Sequence, residues 1–290
     1  MSAMSIKLKA LFWAAALALV ITAYGQDIWA GLVIANLRFR PDIPWAAPLM
    51  AGLLALLFLY LGGAGWPRST AKARRRLLRL NRVSLDVFIQ AVLAGALALF
   101  ALGGAWIVTS DLIHIPKGLT PDVRGYPPLT IASFLIMACL AAPLSEEAAF
   151  RGYAQSILER AWDWAPAAII GSSVLFAAVH VVQGLSAPKL GLYFLAGLIF
   201  GSIAYLTNSL LASIAVHSAA DVMGFLVLWP HDAQPHRLIS EGGTDPVFWP
   251  ALIVLAVFTP LALAAFKRLA VMTRARRAHD DGRRLAPVPA

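Results

Sequence analysis

Charge is the scarcest thing in this sequence. Only 13% of its 290 residues are Asp, Glu, Lys or Arg, against roughly a quarter in a soluble domain. A chain so poor in charge and 60% hydrophobic cannot cover a water-facing surface, which excludes a soluble enzyme built on one large core. Cysteine is nearly absent as well. The single Cys139 excludes an intrachain disulfide and any multi-cysteine zinc site. The sequence contains no His-Glu-x-x-His, no Walker loop, no Gly-x-Gly-x-x-Gly and no Gly-x-Ser-x-Gly elbow. The short-spaced signatures of zincins, P-loop enzymes, dinucleotide binders and α/β-hydrolases are therefore missing. Acidic residues are outnumbered 15 to 24 by Lys and Arg, for a net charge of +9. Those cations cluster in short segments between apolar runs, as membrane topology predicts, and no nucleic-acid motif accompanies them, so nucleic acid is not an expected partner.

What is present is a series of long apolar runs, at about 10–24, 45–65, 85–109, 129–160, 165–182, 189–206, 209–229 and 247–266. Their lengths suit helices crossing a bilayer, for which about 17–25 residues are needed, and they are too long and uniform for barrel strands. The expected fold is all-α: a polytopic membrane helix bundle of about eight transmembrane helices, one structural domain overall. Within it, 1–128 supplies N-terminal helices and a basic loop, 129–229 a central core, and 230–290 the last helix and a basic tail. The first run, with Ala23-Tyr-Gly25 after it, also fits a cleavable signal peptide; the spans that follow directly favour a retained helix. With both termini on one side, the inner segments hold 18 of the 24 Lys and Arg, which predicts cytoplasmic termini and the inner membrane of a bacterium. The basic stretch 67–82 reads as a solvated loop on that side, with a specific anionic-lipid site as a further possibility. Trp66, Trp229 and Trp249 read as interface anchors.

Three sparse polar groups interrupt the C-terminal half: Glu146-Glu147 with Arg151, Phe176 with His180, and His217 with Asp221. An acidic residue near the middle of a membrane helix costs about 2.5–3.5 kcal/mol on insertion scales, and ionisable groups at that depth face a bundle interior or a wet cavity. Glu147 and Arg151 are i, i+4 neighbours in the favourable order and predict a buried structural pair. Glu146 lies about 100° away around the helix, with no partner on its own helix. That division, one carboxylate neutralised and one free to take a proton, is what a general base requires. Each histidine alone reads equally well as a satisfied polar residue bonded to a backbone carbonyl; two of them close in sequence to a Glu-Glu pair favour a shared pocket. His114, His231, His236 and His279 fall in loops or the tail and read as exposed and solvated. Ser145 and Ser218 stand beside the polar groups without the elbow a serine nucleophile needs.

These elements resemble the CPBP family of intramembrane proteases, which comprises CAAX prenyl endopeptidases and bacteriocin-processing or self-immunity proteins. The family's Glu-Glu-x-x-x-Arg stands here as Glu146-Glu147-Ala-Ala-Phe-Arg151, its Phe-x-x-x-His as Phe176-Ala-Ala-Val-His180, and its His-x-x-x-Asn/Asp as His217-Ser-Ala-Ala-Asp221. The resemblance covers about 129–225 and implies hydrolysis of peptide bonds in membrane-associated substrates, CAAX-like or bacteriocin-type. By analogy Glu146, helped by His180, activates a water; His217 and Asp221 stabilise the oxyanion or orient the site; Glu147, Arg151 and Phe176 support it. The prenyl-protease branch has Asn at the last position. An ionised Asp221 cannot donate to an oxyanion, so it is expected to orient His217 or to be protonated. No cofactor is favoured, although Glu146, His180 and His217 would match a zinc ligand set. A non-catalytic membrane interaction or immunity protein is the alternative from another class, and a proton-coupled transporter a third, for which no internal repeat is visible.

Overall fold

The structure is a computed structural model that describes residues 3–115, 123, 125–232, 238–243 and 246–285. It is helical, with no strand among the described residues. Seven helices are long and apolar enough to cross a membrane: α1 (Met4–Phe39), α4 (Leu85–Leu112), α5 (Pro128–Trp162), α6 (Ala165–Val182), α7 (Ala187–Thr207), α8 (Leu211–Asp232) and α9 (Phe248–Ala275). The eighth expected span is the shorter helix α2 (Ala46–Leu61), about 24 Å long. The basic stretch contains the short helix α3 (Ala71–Leu78).

Two helices exceed what a bilayer needs. At 36 and 35 residues, α1 and α5 each run for more than about 50 Å, against a hydrocarbon core of about 30 Å. The first apolar run was expected to stop near residue 24; the helix instead continues through Tyr24-Gly25-Gln26-Asp27 as a π segment (Ala23–Asp27) and goes on to Phe39. α5 contains a matching break. Pro143 lies inside it and has no N–H to donate, and one turn later the helix widens into a π segment over Glu147–Ala154 in which every residue is buried. The two helices run antiparallel. The indole N–H of Trp162 reaches the Lys7 carbonyl at one end, and the Thr130 hydroxyl donates to the Pro41 carbonyl at the other.

The chain crosses back and forth between these two ends. Short polar residues in the left-handed region, Asp163 and Asn208, close α5 and α7, a conformation their side chains tolerate. Asn81 donates to the Asn208 carbonyl, and Arg79 pairs with Glu159. The Lys7 end, the basic stretch and the α5–α6 and α7–α8 turns therefore share one end of the bundle. The basic stretch is not wholly solvated. Arg74 is buried, donates to the Ala64 and Pro67 carbonyls at 2.8 and 3.1 Å, and lies 4.2 Å over the Tyr60 ring. Its backbone carbonyl in turn accepts the Tyr153 hydroxyl, which docks α3 onto α5 two turns from Glu146.

Candidate active site

Three helices bring the motif residues to one place at mid-length of α5. Glu146 ends the regular part of that helix and Glu147 begins the π segment. His180 sits at the end of α6, where the helix tightens into a 3-10 turn, and His217 lies in the second turn of α8. All four side chains are buried. The described side chains thus converge on one pocket, and the rim is Asp221, whose side chain keeps 26% exposure.

The two histidines are held in the same way. His180 Nδ1 lies 2.7 Å from the Phe176 carbonyl, which can only accept, so Nδ1 carries the proton. His217 Nδ1 lies 2.9 Å from Glu147 Oε1 and donates to that carboxylate. Each ring therefore turns Nε2 toward Glu146: His217 Nε2 is 3.5 Å from Oε2 and His180 Nε2 is 4.0 Å from Oε1. Aromatic faces fix the planes. Tyr193 stacks on His180 at 3.8 Å between centroids and Phe200 stacks on His217 at 4.3 Å. Phe176 meets both imidazoles, at 4.7 and 5.8 Å.

Arg151 forms the floor. Its guanidinium is fully buried, 3.1 Å from Glu147 Oε1, and lies over the rings of Phe176 and Phe200 at 4.3 and 5.2 Å. One nitrogen also donates to the Gly197 carbonyl. A Cβ on Gly197 would meet Ser173 at 2.8 Å, so glycine there lets α7 approach α6 and brings that carbonyl within reach. Glu147 is thus more than the partner of Arg151, because the same oxygen orients His217.

Two sequence expectations need correction, the orienting role of Asp221 and the exposure of His231. Asp221 was expected to orient His217 or to be protonated; the first is corrected, since its Oδ1 is 3.9 Å from Nε2 while Glu147 holds Nδ1. Glu146 was expected to lack a partner on its own helix, and that holds. Gln26 of α1 donates an amide N–H to its Oε1. His231 was read as solvated, but its side chain is only 11% exposed and contacts Asp232, which also accepts the Trp106 N–H. His114 is exposed as expected; His236 and the side chain of His279 lie outside the described residues. Ser145 donates to the Ala141 carbonyl at 2.8 Å and is engaged by its own helix. Gln26, Tyr193 and Phe200 were not anticipated. Gln26 had a faint signal, a polar pair with Asp27 inside an apolar stretch, whereas the two aromatics had none among the 20 Phe and Tyr of the chain.

Among the described residues, Glu146, His180 and His217 do not form a group arranged to hold a metal ion. A tetrahedral ion with bonds of 2.0–2.1 Å separates its ligand atoms by about 3.4 Å. Glu146 stands 3.5 Å from the His217 imidazole, close to that separation, and 4.0 Å from that of His180, beyond it. The arrangement is instead one of three acceptors, the Glu146 carboxylate and two Nε2 lone pairs, facing a common space. Acceptors in that array require a donor between them, and a water supplies two.

Residues 128–223 match the family described as Type II CAAX prenyl endopeptidase Rce1-like. The match covers a third of the chain, includes every motif residue from Glu146 to Asp221, and leaves α1 to α4 and α9 outside it. It supports a CPBP-family intramembrane protease, carried on an integral, multi-pass membrane protein. No curated protein and no solved structure matches the chain.

Proposed function

We propose that the protein is an intramembrane endopeptidase in which Glu146 activates a water against a scissile carbonyl. The observation that carries this reading is the convergence of Glu146 with the two Nε2 atoms, each imidazole having its Nδ1–H already engaged. Water held between Glu146 and His180 gives up a proton to the Glu146 carboxylate as its oxygen bonds to the carbonyl carbon. The tetrahedral intermediate collapses as the peptide C–N bond breaks, and Glu146 passes the proton to the departing nitrogen. His217 serves the oxyanion. Its Nε2 is a donor once the ring has taken a proton from solvent ahead of the attack, a proton it keeps through the cycle, and the Glu147 carboxylate behind Nδ1 stabilises that imidazolium, as the orienting carboxylate does in other acid–base sites. Asp221, acceptor-only when ionised, has no part in that donation. The route asks nothing of a metal.

The family match favours substrates of CAAX type, membrane-associated proteins cut near a lipid-modified end. The end of the bundle that carries Lys7 and the basic stretch is read as cytoplasmic because 18 of the 24 Lys and Arg lie in segments assigned to it. The test is the Glu146→Gln variant in the native membrane. Comparison of its membrane proteome with that of the wild type should reveal at least one protein whose terminus is no longer trimmed. Identical termini in both, with a phenotype that survives the substitution, would replace protease by a binding or immunity role.

A further inference from the structure

We infer that Gln26 is a positioning residue for Glu146, so that α1, outside the family-matched segment, completes the catalytic apparatus. The inference rests on the reading of Glu146 as the base. Three observations meet here. The Gln26 amide donates to Glu146 Oε1. The preceding residue, Gly25, is buried against Ser145, the neighbour of Glu146, with no room for a Cβ. And Gln26 lies in one of the π segments, which recur at functional sites in helices. That close approach of α1 to α5 leaves the side chain of residue 26 little choice but to face the carboxylate.

The choice of an amide follows from what each glutamate must do. Glu147 faces a guanidinium, a full positive charge that pairs with it in place. Glu146 faces a neutral donor, which fixes the rotation of the carboxylate without cancelling its charge. With Oε1 tethered, Oε2 stays directed at His217, and the second lone pair of Oε1 stays available to a water shared with His180. A free carboxylate at the end of three rotatable bonds would have to be ordered in the transition state instead.

Two measurements on full-length protein in bilayers test this, with Gln26→Met as the variant because it keeps length and volume but removes the donor. The infrared difference between wild type and Glu146→Gln isolates the carboxyl bands of Glu146; in the Gln26→Met background those bands should shift. Unshifted bands overturn the inference, whatever the activity does. For turnover, the probe is an internally quenched peptide ending in a prenylated Cys-aliphatic-aliphatic-X sequence. Loss of a hydrogen bond to a charged group predicts kcat lower by about 10- to 100-fold with KM little changed. Gln26→Asn, which keeps the amide one methylene short, should fall in between. A wild-type kcat in Gln26→Met, or a loss confined to KM or to the amount of folded protein, overturns the positioning role. If Glu146→Gln cleaves as well as wild type, the reading of Glu146 as the base fails on its own, and the infrared bands still report on the contact.

Discussion

α1 and α5 are nearly twins in form and opposites in content. Both are over-long, both carry a π segment near mid-length, and they face each other antiparallel across the site. α5 holds Glu146, Glu147 and Arg151 in six consecutive positions, whereas α1 offers one amide at the corresponding level. The difference teaches how a membrane active site is divided. The charges, costly in hydrocarbon, are grouped on one helix where they neutralise one another. The opposite wall is made of groups that are cheap to bury, glycine and a neutral amide.

That division of labour can be broken from the α5 side first. Glu146→Gln is expected to lower turnover by about 10²–10⁴-fold, the range of a lost general base, with the fold intact by thermal melting. Next in size is Glu147→Ala, which strands the buried Arg151 and should cost about 3–5 kcal/mol in stability. A double variant, Glu147→Gln with Arg151→Met, removes both charges together and should recover much of that stability. It should not recover turnover, because His217 then lacks the carboxylate behind its Nδ1. Full activity in the double variant would show that Glu147 serves only the architecture.

The α1 side breaks through shape. Gly25→Ala places a methyl on Ser145, and overpacking of this kind costs about 1–3 kcal/mol. Ser145→Gly should relieve it, so the pair measured together should be more stable than the sum of the single changes predicts. Additive losses would mean that the two helices are not held in this register. The smallest effect is expected at the rim. Asp221→Asn should change kcat by no more than about fivefold, since at 3.9 Å Asp221 does not orient His217; a collapse in activity would restore the orienting role to Asp221.

Much of this was legible beforehand. The helical class, the crossing runs and the motif residues of the site could be read from the periods and charges alone, since an acid or an imidazole inside an apolar run declares its own cost. The 45–65 run was read as a full span and proved to be a helix of 16 residues. The end of the first helix was missed as well, because a glycine and two polar residues look like a boundary when no partner is in view. Arg74 was hidden for the same reason. In a run of seven cations nothing distinguishes the one whose donors close a loop.

The sequence by itself determined that this chain lies in a membrane, that three of its helices carry groups fit for acid–base chemistry, and which of two adjacent glutamates has a cation within one turn. Only the tertiary structure decided that the pocket has a fourth wall, that Glu147 rather than Asp221 orients His217, and that Glu146 is tethered by an amide 120 residues away. The reason is one of range. Spacing along a helix fixes neighbours three and four residues apart, whereas a contact between helices depends on how closely their backbones can approach, and at Gly25 that distance was set by the absence of a side chain.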